Sequence, residues 1–347
     1  MQEHNRARVL AAARDEFTEH GFRDAKIDQI AERADLTRGA VYSNFPSKRA
    51  LYFAVLTQAA EEAADPPYPP TAGTAGAALA DFARAWMARL PLSTEDRHSA
   101  TRLSRDLIPE ILADERTSRP FSQLTSLSAI LLGLSLERLG PTKAATRMVR
   151  AAEVALTTLH GASQLAAAAP GFGEPFAVVR ACEGLADLDL DDAWEPSHLP
   201  HVAPARPTDQ AWAPPAMIDA LRAEPAHLAR DGVVAILGLH RVAAIEEARR
   251  AAPPTAEVTA VLVTGNPGEL GPLARLSITE LRGCLRAAVP AAAWPRIQIV
   301  HDESGVLAAA AGVPACSDAT ESAVRVEGGR IVARADGYGA CHAVASG

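Results

Sequence analysis

The chain has 347 residues, 48% of them apolar, and a formal net charge of −8 at pH 7. That apolar fraction is ample for buried cores and excludes global disorder, and at roughly 150 residues per domain the length suits two or three domains. The negative balance excludes a protein that coats nucleic acid indiscriminately, but not a local DNA-binding face.

No uncharged apolar run reaches the 18 or so residues of a membrane span. Met1 to Leu10 holds Glu3, Arg6 and Arg8 in place of an apolar signal core, so a cytoplasmic protein is expected. The first helix is predicted over Asn5–His20, where Val9, Leu10, Ala13 and Phe17 make one stripe, with Gly21 as terminator. The second spans Ile27–Ala34, burying Ile27, Ile30, Ala31 and Ala34. Thr37 then offers its hydroxyl as the cap of a third helix that runs to about Phe45. With only Asp35 and Leu36 between them, the two helices must cross steeply, as in a helix-turn-helix. Charge agrees by arrangement and not by bulk. Residues 1–55 carry nine Lys/Arg against eight Asp/Glu, yet Leu36 to Ala60 holds no acid while keeping Arg38, Lys48 and Arg49. A helix that faces phosphates needs such acid-free surface.

The run from Ile27 to Leu51, including Ala31, Thr37, Gly39, Val41, Tyr42, Phe45, Lys48 and Leu51, resembles the signature of TetR-type regulators. The resemblance covers about residues 5–56 and implies a DNA-binding head with Lys26, Thr37, Arg38, Gly39, Tyr42, Ser43, Asn44 and Lys48 as contact residues. Tyr42 and Lys48 would touch phosphates, Gly39 would permit close approach, and Arg38, Ser43 and Asn44 are the candidate readers of base edges. Tyr42 also fits half-buried packing, and Asn44 also fits a bond within its own helix end. Two positions depart from the family pattern. Asp35 stands where glycine is usual, and Ala25 where a Ser or Thr cap is usual, so Asp24 either caps the second helix or leaves its start weak.

Helices are next predicted over Ala50–Ala64, Ala77–Leu90, 98–113, 120–139, Thr142–Ala168 and Pro175–Ala186, with a break at Asp65–Pro70. The resemblance makes residues 57–195 a ligand-binding and dimerisation body. Its last two helices would pair across a two-fold axis, the small faces of Ala151, Ala152 and Ala155 allowing close approach. Phe82, Trp86, Met87, Phe121 and Met148 either line an effector pocket or simply fill the core. A homodimer on a palindromic double-stranded operator is expected, with an unidentified small-molecule effector and no cofactor.

Residues 196–227 read as a linker, with six prolines between Glu195 and Pro215. The remainder, 228–347, alternates strands and helices: Gly232–Leu239, His240–Ala252, Glu257–Thr264, Leu273–Ala288, Arg296–His301 and Asp302–Ala311. A hairpin of Ser322–Val326 and Arg330–Ala335 closes it across Gly328-Gly329. The fold class expected is thus mainly α for the first two-thirds, followed by a small α/β domain. The order of elements, and the segment Ile299–Gly305 with Gly312-Val313-Pro314, resemble thioredoxin-like and peroxiredoxin-like domains. Such domains carry a cysteine after the first strand; this chain has Leu239-His240-Arg241-Val242, which implies a redox-inactive version. Cys316 and Cys341 are a candidate thiol sensor if they approach each other, with His342 beside Cys341; isolated thiols are the alternative. His240, His301 and His342 lack metal-site spacing. Three functions compete: a repressor with its effector in the body, a regulator sensing through the α/β domain, and an enzyme fused to a DNA-binding head. For the last there is no G-x-S-x-G elbow, Walker loop or metal motif.

Overall fold

The computed structural model describes residues 2–62, 69–90, 100–139, 147–194, 202 and 204–347. The first apolar stripe folds as α1 (Gln2–Asp24), longer at both ends than the stripe itself and broken inside at Gly21, whose φ of 74° only glycine adopts cheaply. Asp106 locks that break by accepting from the Phe22 backbone N–H at 2.7 Å. Next come α2 (Ile27–Arg33), α3 (Arg38–Asn44) and α4 (Lys48–Glu61). Val9, Ala13, Phe17, Ile30, Val41 and Leu51 close the core between them. Neither Asp24 nor any other local side chain caps α2; the backbone N–H of Lys26 instead donates to Glu16 Oε1 at 3.1 Å, so α1 supplies the missing acceptor.

The helical body comprises α5 (Ala75–Met87), a 3₁₀ turn over Ala100–Asp106, α6 (Leu107–Leu112), α7 (Glu115–Glu137), α8 (Val149–Ala168) and α9 (Pro175–Gly184). The predicted break at Asp65–Pro70 falls largely outside the described residues, as do 142–146 of the expected long helix. α7 starts five residues before Pro120 because Asp114 caps it, accepting from the Arg116 N–H at 2.9 Å. Ala151, Ala152 and Ala155 are buried within the chain, on a helix that packs chiefly against α7. The small-residue face expected to meet a second subunit is therefore used inside the chain.

The rest of the chain forms β1 (Arg206–Ala211), β2 (Ile218–Asp219), β3 (Glu224–Pro225), β4 (Gly232–Gly238), α10 (Ile245–Ala251), β5 (Glu257–Val263), α11 (Pro267–Ala288), β6 (Gln298–His301), α12 (Val306–Ala310), β7 (Glu321–Glu327), β8 (Arg330–Asp336) and α13 (Ala340–Ala345). The main sheet has the order β1-β8-β7-β4-β5-β6, with β4, β5 and β6 parallel and the other pairs antiparallel. Part of the proline-rich stretch is thus a strand, and not a bare tether. Pro207 is tolerated because β1 lies at the sheet edge, where a missing N–H goes unnoticed. Side chains alternate by face. Val233, Ala235 and Leu237 join the large core shared with the helices, whereas Val234 and Ile236 join a smaller one with Trp212, Leu228 and Leu307.

The large core runs without interruption from Val9 to Ala345, so it crosses from the helical body into the α/β region. The element that carries it across is α11. Its apolar spacing predicts a helix from Leu273, but it begins at Pro267, a residue suited to the first helical position. It packs chiefly against α4, then α5 and α7. The extra turn and a half reaches the head. A Cβ on Gly268 would lie 3.0 Å from Pro46, and Glu269 Oε2 accepts from Ser47 Oγ at 2.7 Å. Elsewhere on the seam Arg250 grips Glu137 with bonds of 2.7 and 2.6 Å, and Arg147 grips Glu246 with bonds of 2.8 and 2.7 Å. Losing one partner of such a half-withdrawn pair leaves a charge uncompensated, which is the costly case.

Candidate nucleic-acid interface and effector cavity

Thr37 sits in extended backbone (φ −82°, ψ 155°), and its Oγ1 accepts from the Ala40 N–H at 3.2 Å, so α3 is capped as its sequence requires. The turn before it passes through Asp35 at φ 48°, the left-handed conformation that glycine takes more cheaply. The exposed Asp35 carboxylate is countered by Arg8, whose Nη2 donates to Oδ2 at 3.1 Å.

Only Val41 of α3 is buried. Arg38, Gly39, Tyr42 and Ser43 face outward. Gly39 is not required by packing: a Cβ there would meet Thr37 Oγ1 alone, at 3.8 Å. Arg38 Nη1 donates to Asp28 Oδ1 at 3.2 Å, and its guanidinium lies 5.6 Å from the Tyr42 ring centre. Tyr42 first and Asp28 second hold the Arg38 pKa above the ordinary arginine value. Ser43 Oγ donates to the Ala40 carbonyl at 2.9 Å and keeps its acceptor lone pairs outward. Lys26 is exposed at the start of α2.

Two of the sequence candidates are less available. Asn44 Nδ2 bonds back to the Ala40 carbonyl at 2.8 Å, the internal alternative. Lys48 is half-buried, donating to the Arg23 carbonyl at 3.2 Å over the Phe22 ring, and burial lowers its pKa. Sequence reasoning missed Arg6. It lies 4.3 Å from the Phe45 ring centre and donates to the Asn44 carbonyl at 3.2 Å, bracing the end of α3 across 38 residues of sequence. No local pattern announces such a contact.

Residues 9–55 match the family model described as bacterial regulatory proteins, tetR family. The head belongs to the TetR family. Relatives of this TetR-type head include the transcriptional regulator RutR of Escherichia coli K12, 46% identical over 50 residues, which are 14% of this chain and 24% of RutR. The regulator SrpR of Pseudomonas putida is 46% identical over 54 residues, 16% of this chain and 25% of SrpR. The transcriptional activator FasR of Mycolicibacterium smegmatis is 38% identical over 55 residues, 16% of this chain and 25% of FasR. The chain thus spans about a quarter of the length of these curated relatives. A transcriptional regulator from Rhodococcus sp. Rha1 superposes with a TM-score of 0.31 and 23% identity, over 55% of this chain and 99% of its own. So loose a likeness carries no argument.

Behind the TetR-type head, the body holds a partly open cavity with two lobes that share Trp86, His160 and Glu280. The first lobe is lined by Phe82, Trp86 and Phe121 among others, and the second by Arg89, Leu107 and Gln164 among others. Three of the five predicted pocket residues therefore line it. Met87 and Met148 line neither lobe: Met87 is buried in the core, and Met148 opens α8, its N–H held by Glu137 Oε1 at 3.1 Å. The sequence could not indicate the third wall. Ser277, Glu280 and Leu281 come from α11, on the far side of the proline-rich stretch.

The thiol pair is overturned. Cys341 lies in the large core on one side of the sheet, while Cys316 packs against the smaller core on the other. Burial pushes both thiols up, Cys341 far above its ordinary value, with Glu321 and Glu247 adding to the effect. His342 does not reverse it. All four cysteines are free. Among the described residues one group has metal-like spacing, Glu16, Glu19 and His20, but Arg33 already forks onto Glu19 with bonds of 3.0 and 2.6 Å. No helix of the described residues is long and apolar enough to cross a membrane.

Proposed function

We propose that the chain is a ligand-responsive transcriptional regulator that acts as a dimer on a palindromic operator. The observation that carries this is α3: a capped helix buried through one residue, presenting Arg38, Gly39, Tyr42 and Ser43 to solvent. A helix that the fold itself hardly uses is available to a DNA groove. Arg38 and Ser43 would read base edges, while Tyr42, Thr37, Lys26 and, at the margin, Lys48 and Asn44 would fix the register on the backbone.

One head buries too little DNA for selectivity, so two must be presented together. The surface proposed to pair them is the outer face of α8 and the α9 entry. Val154, Leu165, Phe172 and Phe176 stand exposed there, Phe172 and Phe176 at 69% and 73%. A second copy of the same surface would cover them. Selection of bound fragments from random DNA should return a two-fold symmetric sequence. Recovery of a single asymmetric half-site, bound by monomers, would overturn the reading.

The α/β region is proposed to be a thioredoxin-like fold without redox or enzymatic chemistry. Support comes from the order β6-β5-β4-β7-β8, three parallel strands and then a hairpin, and from the lack of cysteine in Leu239–Val242. It is better read as part of the response path than as a separate sensor. Glu269 holds the hydroxyl of Ser47, and that hydroxyl caps α4, accepting from the Ala50 N–H at 3.0 Å. Ser47 lies three residues beyond the end of α3. Any shift of α11 is therefore passed to the joint behind the recognition helix. Glu269→Ala should change operator affinity although Glu269 is no part of α3. Unaltered affinity, with and without an effector, would confine the region to a structural role.

A further inference from the structure

The cavity has a chemistry of its own, and the case for what enters it rests on the effector-binding reading above. In the first lobe Phe82, Trp86 and Phe121 supply three aromatic rings. Phe82 and Trp86 are stacked at 6.4 Å, and the His160 ring stands edge-on to Trp86 at 4.9 Å and to Phe121 at 5.8 Å. Burial lowers the His160 pKa, so the imidazole is neutral at physiological pH and repels no cation. One carboxyl group lines this lobe, that of Glu280 on α11. Arg89 is the cation that acts on Glu280. It lines only the second lobe, with its guanidinium against α11, where Nη1 donates to the Glu280 carbonyl at 3.3 Å. Thr125, Ser128 and Ser277 add neutral hydroxyls.

A set of aromatic faces with one carboxyl and no fixed positive charge is suited to an organic cation. The rings attract it through their negative faces, and the carboxylate fixes the charged end. An anion would meet no donor stronger than a hydroxyl or a neutral imidazole in this lobe. We infer that the lobe bounded by Phe82, Trp86, Phe121 and Glu280 binds an aryl-alkyl ammonium, with Glu280 as its counter-ion, so that the α/β region contributes the residue that selects the ligand. Burial raises the pKa of Glu280 in the empty cavity, with Arg89 opposing. A bound ammonium acts in the opposite sense, since an adjacent opposite charge favours the carboxylate.

The test uses the full-length protein and three probes of one shape: 4-phenylbutylammonium, 4-phenylbutan-1-ol and 4-phenylbutyrate, titrated calorimetrically. The ammonium should bind at least about tenfold more tightly than the alcohol, and the carboxylate least tightly. Glu280→Gln keeps the shape and a hydrogen-bonding group. It should erase the advantage of the ammonium while leaving alcohol binding in place, which also reports an intact cavity. Equal affinity for all three probes, preference for the carboxylate, undetectable binding of every probe at millimolar concentration, or an ammonium preference that survives Glu280→Gln would each overturn the inference. Operator binding, measured in parallel, separates the two readings. A chain that holds its operator but ignores the ammonium loses only this site. A chain that binds the ammonium through Glu280 but no DNA keeps the site and loses the regulatory role.

Discussion

The helices α3 and α11 are built on opposite plans. α3 has seven residues and buries Val41 alone; α11 has 22 and buries half of them. The fold asks little of α3 beyond its cap, so its outward residues are free to answer to something outside the molecule. α11 is held on several sides, by α4, α5 and α7, and its residues answer first to packing. The two nonetheless meet, through Glu269 and Ser47, a few residues past the end of α3. Substitutions should therefore separate cleanly, affecting binding on α3 and stability on α11, with crossover only at that joint.

The hardest test of this division is Leu276→Ala. Leu276 is 1% exposed on α11, and deleting such a side chain costs about 2–5 kcal/mol. Because one core crosses the seam, urea unfolding followed by circular dichroism should show the whole transition moving to lower denaturant. Two resolved transitions, only one of them shifted, would mean that the α/β region folds apart from the body and that the core does not couple them.

On the other plan, Arg38→Ala should leave the unfolding midpoint nearly unchanged, since its ion pair with Asp28 is exposed on both sides and surface pairs are worth about 0–1 kcal/mol. Its effect should appear in DNA binding, as a loss of about 1–3 kcal/mol together with relaxed preference at one base pair. Tyr42→Phe should instead weaken binding to every sequence alike. Competition binding on an operator and its single-base variants distinguishes the two, and a uniform loss for Arg38→Ala would make it a phosphate contact only.

What could be read from the sequence follows the same divide. The head was legible because its signals are local: a stripe, a cap at Thr37, a two-residue turn, and a motif whose residues sit within 25 positions, Ile27 to Leu51. The strand order was half-legible, since alternation and the Gly328-Gly329 turn mark the strands but not the edge role of Pro207. The cavity was not legible. Phe82, Trp86 and Phe121 are aromatic and were found on that ground, but Glu280 reads as one more charge on an amphipathic helix. Its place in the cavity appears only when α11 lies against α5 and α7, and no periodicity encodes that placement. Met87 and Met148, which the sequence left open between pocket and core, line neither lobe: their side chains suit a pocket, and their position on the helix sends them elsewhere. Cys316 and Cys341 look close in sequence, yet the sheet between them is a wall.

A smaller effect lies where the two plans overlap. Thr37→Ala removes the cap of α3 and should cost about 1 kcal/mol of stability. It should also weaken DNA binding, because the helix that presents Arg38 and Tyr42 would fray at its first turn. A stability loss with intact binding would show that DNA itself orders α3, and would weaken the claim that the recognition surface is preformed.

The smallest change expected is also the one that sequence comparison with the family makes most tempting, Asp35→Gly. Glycine would relieve a residue held at φ 48°, a gain of about 1 kcal/mol. It would also delete the pairing with Arg8, whose carboxylate partner is 97% exposed and so contributes little in water. Stability should therefore rise slightly or not at all. Binding is the more telling readout. Removing a carboxylate from the turn that precedes α3 should raise DNA affinity most at low salt and progressively less as the Debye length falls below about 10 Å. An affinity gain that persists at high salt would have to come from the geometry of the turn. Asp35 would then be shaping the angle at which α3 meets DNA, and not merely weakening its electrostatic attraction.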